Sequence, residues 1–259
     1  AGVAKRREIV LDAIENVLQP RAILDRTSEK SARAERFEFV PGLVRGQAPE
    51  ALVFRERGFA FDLPLSLAQK TGYYFDQRPL RDRVEELAAG RDVLDVYSYV
   101  GAIGLAAKRG GGASVVSVDS SAVAVTAGRK LAQTNGVDVE FEESDASRFL
   151  ETRQPEWDLV VCDPPKFAQS RAGRDKAASA FRRVSGLALA AVRPGGLVVL
   201  SSCSAALGAR EIERSLALAA RDRDREVTVV ERIFQGVDHP VPPAFPEGLY
   251  LSTVIAVVD

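Results

Sequence analysis

Asp163 and Cys203 are the two side chains whose type and setting could do covalent chemistry. Asp163 stands at the end of an apolar run, Val160-Val-Cys-Asp-Pro-Pro-Lys-Phe167. Pro164 and Pro165 fix the chain just after a buried strand, which is costly unless the loop must be rigid. Cys203 ends a second run, Leu200-Ser-Ser-Cys-Ser204, and falls at the same sheet edge as Asp163. Cys203 has two readings. It is a core residue, as free cysteines often are, or it is a nucleophile. A thiolate that adds to carbon 6 of a cytosine turns carbon 5 into an enamine-like carbon that can take a methyl cation. A carboxyl group on nitrogen 3 and the amino edge would assist, so the chemistry needs a sulfur and an acid in one pocket. Cys162, inside the apolar strand, reads as packing.

A second group of residues points to the donor of that methyl group. The strand Val93-Leu-Asp-Val-Tyr97 runs into Ser98-Tyr-Val-Gly-Ala-Ile-Gly104 and then a helix. Glycines at such a turn let the backbone approach a ligand and let the helix pack on the strand. The spacing is Gly101-x-x-Gly104 rather than the dinucleotide GxGxxG, and Asp95 sits inside the strand. A diphosphate wants helix N–H groups and no carboxylate beside it. S-adenosylmethionine carries an ammonium and a sulfonium, which a carboxylate favours. Asp119 ends the next strand, where a nucleotide site places a carboxylate for ribose hydroxyls. Its alternative role is to cap a helix starting at Ser120. Asp145 follows the third strand, ahead of Ala146, and could accept from an adenine amino group or cap a helix.

The elements that must position these residues are legible as periodicity. Residues 5–19 have helical spacing and stop at Pro20. Strand-like runs follow at 22–24, 37–40, 51–55 and 59–63, the last two reading as a hairpin about 56–58. A helix over 80–89 ends at Gly90. Strands are then predicted at 93–97, 114–118, 137–141, 158–162, 196–202, 226–234 and 250–258, with helices near 102–109, 120–134, 145–151, 175–192 and 208–222. The alternation predicts an α/β fold: a mostly parallel seven-stranded sheet between helices, with an antiparallel pair at one edge. The division expected is a small α+β unit over 1–78 and a larger domain over 79–259.

Composition narrows the functional classes. The 35 basic and 36 acidic residues leave a net charge of −1, which argues against coating nucleic acid through bulk charge and leaves room for a local basic patch. No run is long and apolar enough to span a membrane, and no signal peptide is visible. Two cysteines, both in predicted strands, read as a reduced cytoplasmic protein. One histidine and no CxxC pair predict no metal site. The exposed strands of the N-terminal unit could pair with a second copy, giving a homodimer.

Two resemblances follow. Asp163-Pro-Pro is similar to the Asn/Asp-Pro-Pro-aromatic loop of amino-methyltransferases, but Lys166 takes the aromatic position and Phe167 comes one later. The wider pattern resembles the bacterial large-subunit rRNA 5-methylcytosine methyltransferases. It is carried by Lys70-Thr-Gly-Tyr-Tyr-Phe-Asp-Gln-Arg78, the loop ending in Gly101 and Gly104, Asp163-Pro-Pro-Lys-Phe167, Ser202-Cys-Ser204, Asp238-His-Pro-Val241 and Pro246-Glu-Gly-Leu-Tyr250. That family joins a PUA domain, a small α+β linker domain and a Rossmann-like class I methyltransferase domain; the similarity here begins inside the linker domain. The resemblance implies S-adenosylmethionine as cofactor, held by Asp95, Tyr97, Ser98, Gly101, Gly104, Asp119, Ser120, Asp145 and Ala146, with Asp163 at its methyl end. Tyr74, Asp76, Gln77 and Arg78 would close over it. Cys203 would be the nucleophile with Asp163 beside it, and Pro164, Pro165, Lys166, Phe167, Asp238 and His239 would meet the substrate. The function implied is cytosine-5 methylation of RNA, with rRNA as partner. The alternatives are methylation of a small molecule or amino group, with Cys203 structural, or a non-catalytic S-adenosylmethionine- or RNA-binding protein.

Overall fold

The computed structural model describes residues 2–38, 41–67, 72–167, 173–204 and 207–259. They form two compact units, Ala1–Tyr73 and Tyr74–Asp259. The first contains helix α1 (Arg7–Leu18), strand β1 (Ala22–Asp25), helix α2 (Glu29–Glu35), strand β2 (Gly42–Gly46) and strands β3 (Ala51–Glu56) and β4 (Phe59–Pro64). β1 pairs with β2, and β3 with β4, each as an antiparallel two-stranded sheet. Arg57 and Gly58 join β3 to β4 with φ of 48° and 90°, the left-handed pair that matches strand twist in a two-residue hairpin. Phe54, Phe61 and Tyr73 cluster behind that hairpin, and the Tyr73 hydroxyl donates to buried Glu56 at 2.7 Å.

The strand expected over 37–40 is not found at its described residues; Phe39 and Val40 lie outside them. The Phe37 N–H is used to close α2, donating to Ala32 at 3.1 Å, after Arg36 turns left-handed at φ 56°. The chain becomes extended only at β2.

The second unit runs α3 (Arg78–Leu87), β5 (Asp92–Val96), α4 (Ala102–Arg109), β6 (Ser114–Asp119), α5 (Ala122–Thr134), β7 (Glu140–Glu143), α6 (Ala146–Glu151), β8 (Trp157–Cys162), α7 (Arg174–Ala191), β9 (Val192–Ser202), α8 (Ala209–Arg221), β10 (Val227–Phe234) and β11 (Ser252–Val258). Its seven strands lie in the order β10-β11-β9-β8-β5-β6-β7. The pairs from β9 to β7 are parallel; β11 is antiparallel to both β9 and β10. This is the Rossmann-like class I architecture expected. The order reverses between β5 and β8, and open α/β sheets bind ligands beyond the carboxyl ends of strands at such a reversal.

Burial explains why that edge is firm. Phe149, Phe181, Leu189 and Leu216 cover one sheet face; Leu80, Val84 and Ile103 cover the other, over Val93, Leu159 and Val199. Each fully buried side chain of this size contributes roughly 1.5–3 kcal/mol. Several boundaries differ from expectation; β9, for one, begins at Val192 rather than Gly196. β7 begins at Glu140 rather than Val137, because Gly136 is left-handed and the Val137 N–H closes α5 on Ala132 at 3.1 Å. Cys203 lies one residue beyond β9, where the Ser202 hydroxyl accepts the Ser204 N–H at 3.3 Å and turns the chain. Among the described residues no helix is long and apolar enough to cross a membrane.

Candidate active site

The loop after β5 is held in an unusual shape. Tyr97, Tyr99 and Gly101 all have positive φ, at 61°, 54° and 71°. A left-handed non-glycine residue costs ~1–3 kcal/mol and persists only where its surroundings impose it. Here they do. Ser98 N–H donates to Val118 at 3.0 Å, Tyr99 N–H to Asp119 Oδ2 at 2.8 Å, and Gly104 N–H to Asp95 Oδ2 at 3.2 Å. Gly101 and Gly104 serve packing directly. A Cβ at Gly101 would sit 2.5 Å from the Phe141 ring, and one at Gly104 would collide with the Ser117 hydroxyl.

Asp119 therefore holds the loop, and its Oδ1 accepts the Ser121 N–H at 2.9 Å. It is not the helix cap: Ser121 is, with its hydroxyl accepting from Ala124, and α5 starts at Ala122 rather than Ser120. Ser120 is exposed. Asp145 is the cap of α6, accepting the Arg148 N–H at 2.9 Å, and it remains exposed. Ala146 is buried behind it, and the Tyr97 hydroxyl reaches Ser147 at 3.3 Å. Asp95 is fully buried. Burial pushes its carboxyl well above the usual range; the Gly104 N–H pulls it back in part, and the charges of Asp163 and Asp119 push it further.

The other half of the site surrounds Asp163. The Gln77 amide donates to Asp163 Oδ2 at 2.8 Å. Burial first, then the charge of Asp76, raises the Asp163 carboxyl to about 7, against the pull of Gln77. Asp163 nonetheless remains partly exposed, so water screens it. Cys203 is half-buried, whereas Cys162 is wholly buried, and burial pushes the Cys162 thiol far up. Tyr74 feels the charges of Asp163, Cys203 and Asp76, and its ring meets Tyr99 edge-on at 5.5 Å. The Tyr250 hydroxyl donates to Asp76 Oδ2 at 2.7 Å. Arg78 pairs with Asp238 at 3.4 Å, and His239 Nδ1 lies 3.3 Å from the same carboxylate.

The sequence-predicted site residues from Tyr74 onward lie at the carboxyl ends of β5, β6, β8 and β9 or in the segments that follow them, at the start of α6, ahead of α3 and ahead of β11; Lys70 and Thr71 lie outside the described residues. In the proline loop, Pro164 is buried, Pro165 and Lys166 are exposed, and Phe167 packs on Phe181 at 6.4 Å. Tyr99 and Gln235 were not expected. Gln235 accepts the Tyr250 N–H at 3.2 Å and donates to the His239 and Gly248 carbonyls, fixing the approach to β11. The one sequence signal for this contact was the Pro246–Tyr250 motif.

A family model described as S-adenosylmethionine-dependent methyltransferase matches residues 34–248. The chain belongs to that family. Among similar methyltransferases, a ribosomal RNA large subunit methyltransferase I from Erwinia tasmaniensis is 34% identical and aligns with 97% of this chain and 65% of its own length. One of the same name from Shewanella denitrificans is 33% identical, over 98% and 66%. The chain thus spans just under two thirds of these relatives. A methyltransferase-like crystal structure solved with S-adenosylhomocysteine matches with a TM-score of 0.81 at 20% identity, covering 99% of this chain and 67% of the other. That likeness concerns the fold.

The cofactor of this methyltransferase is S-adenosylmethionine, and the crevice suits it. The charges of Asp163 and Asp119 both bear on the buried Asp95 carboxyl and push it up, a setting that favours a cationic ligand. Among the described residues, Asp95 Oδ1 and the Ser98 hydroxyl are buried with no hydrogen-bond partner, although buried polar groups normally have one. Among the described residues no cluster could hold a metal ion.

Proposed function

We propose that this methyltransferase modifies carbon 5 of a cytosine in large-subunit ribosomal RNA, through a transient bond from Cys203 to carbon 6. The observation that carries the reading is Asp163 raised to about 7 at the carboxyl end of β8, with half-buried Cys203 beyond the end of the neighbouring strand β9 and Tyr74 influenced by both. The names of the two bacterial relatives support rRNA as the partner. The unit Ala1–Tyr73 is then the linker-type domain of such an enzyme.

When bound, S-adenosylmethionine supplies an electrophilic methyl group on its sulfonium. Asp119 and Asp145 would hold its ribose and adenine amino groups, while Tyr97, Ser98 and Asp95 form the loop beneath it. Cys203 adds as thiolate to carbon 6. Asp163, near half-protonated at neutral pH, gives a proton to nitrogen 3 as charge arrives there, and Gln77 keeps the carboxyl oriented. Exposed Lys166 and the Arg78–Asp238–His239 group would meet the RNA.

Cytosine carrying fluorine at carbon 5 cannot lose that substituent as a proton, so an enzyme of this mechanism stays attached to it. RNA containing 5-fluorocytidine should form an adduct that survives denaturing electrophoresis with the wild-type protein and none with Cys203→Ala. Cys203→Ala should lose methyl transfer while binding S-adenosylhomocysteine nearly as before. Turnover of Cys203→Ala at the wild-type rate would falsify the covalent route.

A further inference from the structure

We propose that Asp76, aimed by Tyr250, is the general base that removes the carbon 5 proton and releases the RNA from Cys203. The inference rests on the cytosine-5 reading above. That reaction needs two different proton handlers. One must give a proton to nitrogen 3 early; another must take a proton from carbon 5 late. Asp163, raised to about 7, suits the first task. It cannot easily do both, because it holds the ring edge remote from carbon 5.

The short turn Phe75–Gln77 sets two consecutive side chains on the two halves of the site. Gln77 holds Asp163 at 2.8 Å, and Asp76 is held by the Tyr250 hydroxyl at 2.7 Å. The turn is itself pinned, since the Asp76 carbonyl accepts the Gly236 N–H at 3.2 Å. Tyr250 stands just ahead of β11, whose Ser252 pairs with Ser202 of β9, so the ladder carries Tyr250 alongside Cys203. The electrostatic neighbours agree: Tyr250 feels both Asp76 and Cys203, and Asp163 feels Asp76. Asp76 accepts from Tyr250 through Oδ2, so that oxygen is anchored. Asp76 is half-buried rather than enclosed, which leaves the carboxylate within reach of a ligand in the crevice.

The step balances. In the methylated adduct carbon 5 bears methyl and hydrogen, and carbon 6 bears the Cys203 sulfur. The carbon 5 proton passes to the Asp76 carboxylate. Its electron pair becomes the carbon 5–carbon 6 double bond. The carbon 6–sulfur pair returns to Cys203 as thiolate, and nitrogen 3 gives its proton back to Asp163. Water then takes the proton from Asp76. Asp76 touches the reacting hydrogen and is catalytic; Tyr250 acts through Asp76 and is a positioning residue.

The test uses the full chain with unmodified large-subunit rRNA made by transcription, radiolabelled S-adenosylmethionine and denaturing electrophoresis. Wild-type protein should be trapped only on RNA containing 5-fluorocytidine. Asp76→Asn should be trapped on natural RNA, as a methyl-labelled adduct, with product release slowed about a hundredfold or more. Tyr250→Phe should show the same labelled adduct transiently, with release slowed several-fold and the 5-fluorocytidine trap intact. If Asp76→Asn releases methylated RNA at the wild-type rate, or accumulates an adduct without methyl label, the inference is overturned while the covalent reading stands. If the wild-type protein forms no 5-fluorocytidine adduct, the covalent reading falls and takes the inference with it. Should Asp76→Asn not fold, Tyr250→Phe decides: release as fast as wild type overturns the role of the pair.

Discussion

The two ends of strands β5 and β8 treat their aspartates in opposite ways. At the amino ends, Asp92 and Asp158 share Arg193, whose Nη1 lies 2.8 Å from one and 2.9 Å from the other. Arg193 holds the Asp92 carboxyl below its usual range. Burial lifts Asp158, but the Asp92 N–H and Arg193 outweigh it, and that carboxyl too is lowered. At the carboxyl ends of the same strands, Asp95 and Asp163 have no arginine among their hydrogen-bond partners in the described residues, and both are raised. One end of the sheet satisfies its charges internally. The other leaves charge and partners outstanding, which is the arrangement a cationic cofactor and a proton-transfer step require.

The contrast can be broken most severely at Asp163. Asp163→Asn should keep the Gln77 contact but lower methyl transfer by about two to four orders of magnitude, read as single-turnover rate. The same variant sharpens the comparison through stability. Between about pH 4 and 7 folded Asp163 keeps a proton that the unfolded chain has lost, so wild-type stability falls as pH rises through this window. Denaturant titrations should show Asp163→Asn gaining on wild type from pH 4 to 7 and levelling above. A constant difference across that range would mean that the carboxyl is ordinary.

A middling effect is expected at the loop itself. Gly101→Ala adds a Cβ at a left-handed position against Phe141, and should destabilise by roughly 2–4 kcal/mol while weakening S-adenosylhomocysteine binding in calorimetry. Stability loss with unchanged binding would detach the loop from the cofactor. The smallest effect belongs to the other end. Arg193→Ala should leave methyl transfer unchanged and lower Tm by about a few degrees or less, because the network is partly exposed. Its pH dependence has the opposite sign to that of Asp163. Lowered carboxyls stabilise above their unfolded value and lose that contribution as pH falls, so the variant and wild type should converge in acid.

How much of this was legible depends on where the information lies. The alternation of apolar strands with helices is local, and it marked the sheet that positions Asp163 and Cys203. Helix α2 was invisible because Glu29–Glu35 is mostly polar and buries only Ala32, leaving no apolar period to read. β7 starts later than the sequence suggests because Val137 and Val139 alternate like a strand, while the strand itself buries only Phe141. In the site, single aspartates at strand ends could be found by position. The left-handed Tyr97 and Tyr99 could not, because nothing in a tyrosine advertises positive φ. The Asp76–Tyr250 bond joins residues 174 apart, and only the folded ladder brings them together.

That ladder has a consequence for synthesis. β9 is flanked by β8, which precedes it in the chain, and by β11, which follows every other strand described. While a ribosome is still making the segment between β9 and β11, the apolar stretch Leu197–Leu200 presents an open edge, a surface prone to pairing with other chains. Cys203 and its neighbours are therefore brought together only when β11 emerges and slots between β9 and β10, so a nascent chain can carry Cys203 without yet having those neighbours around it.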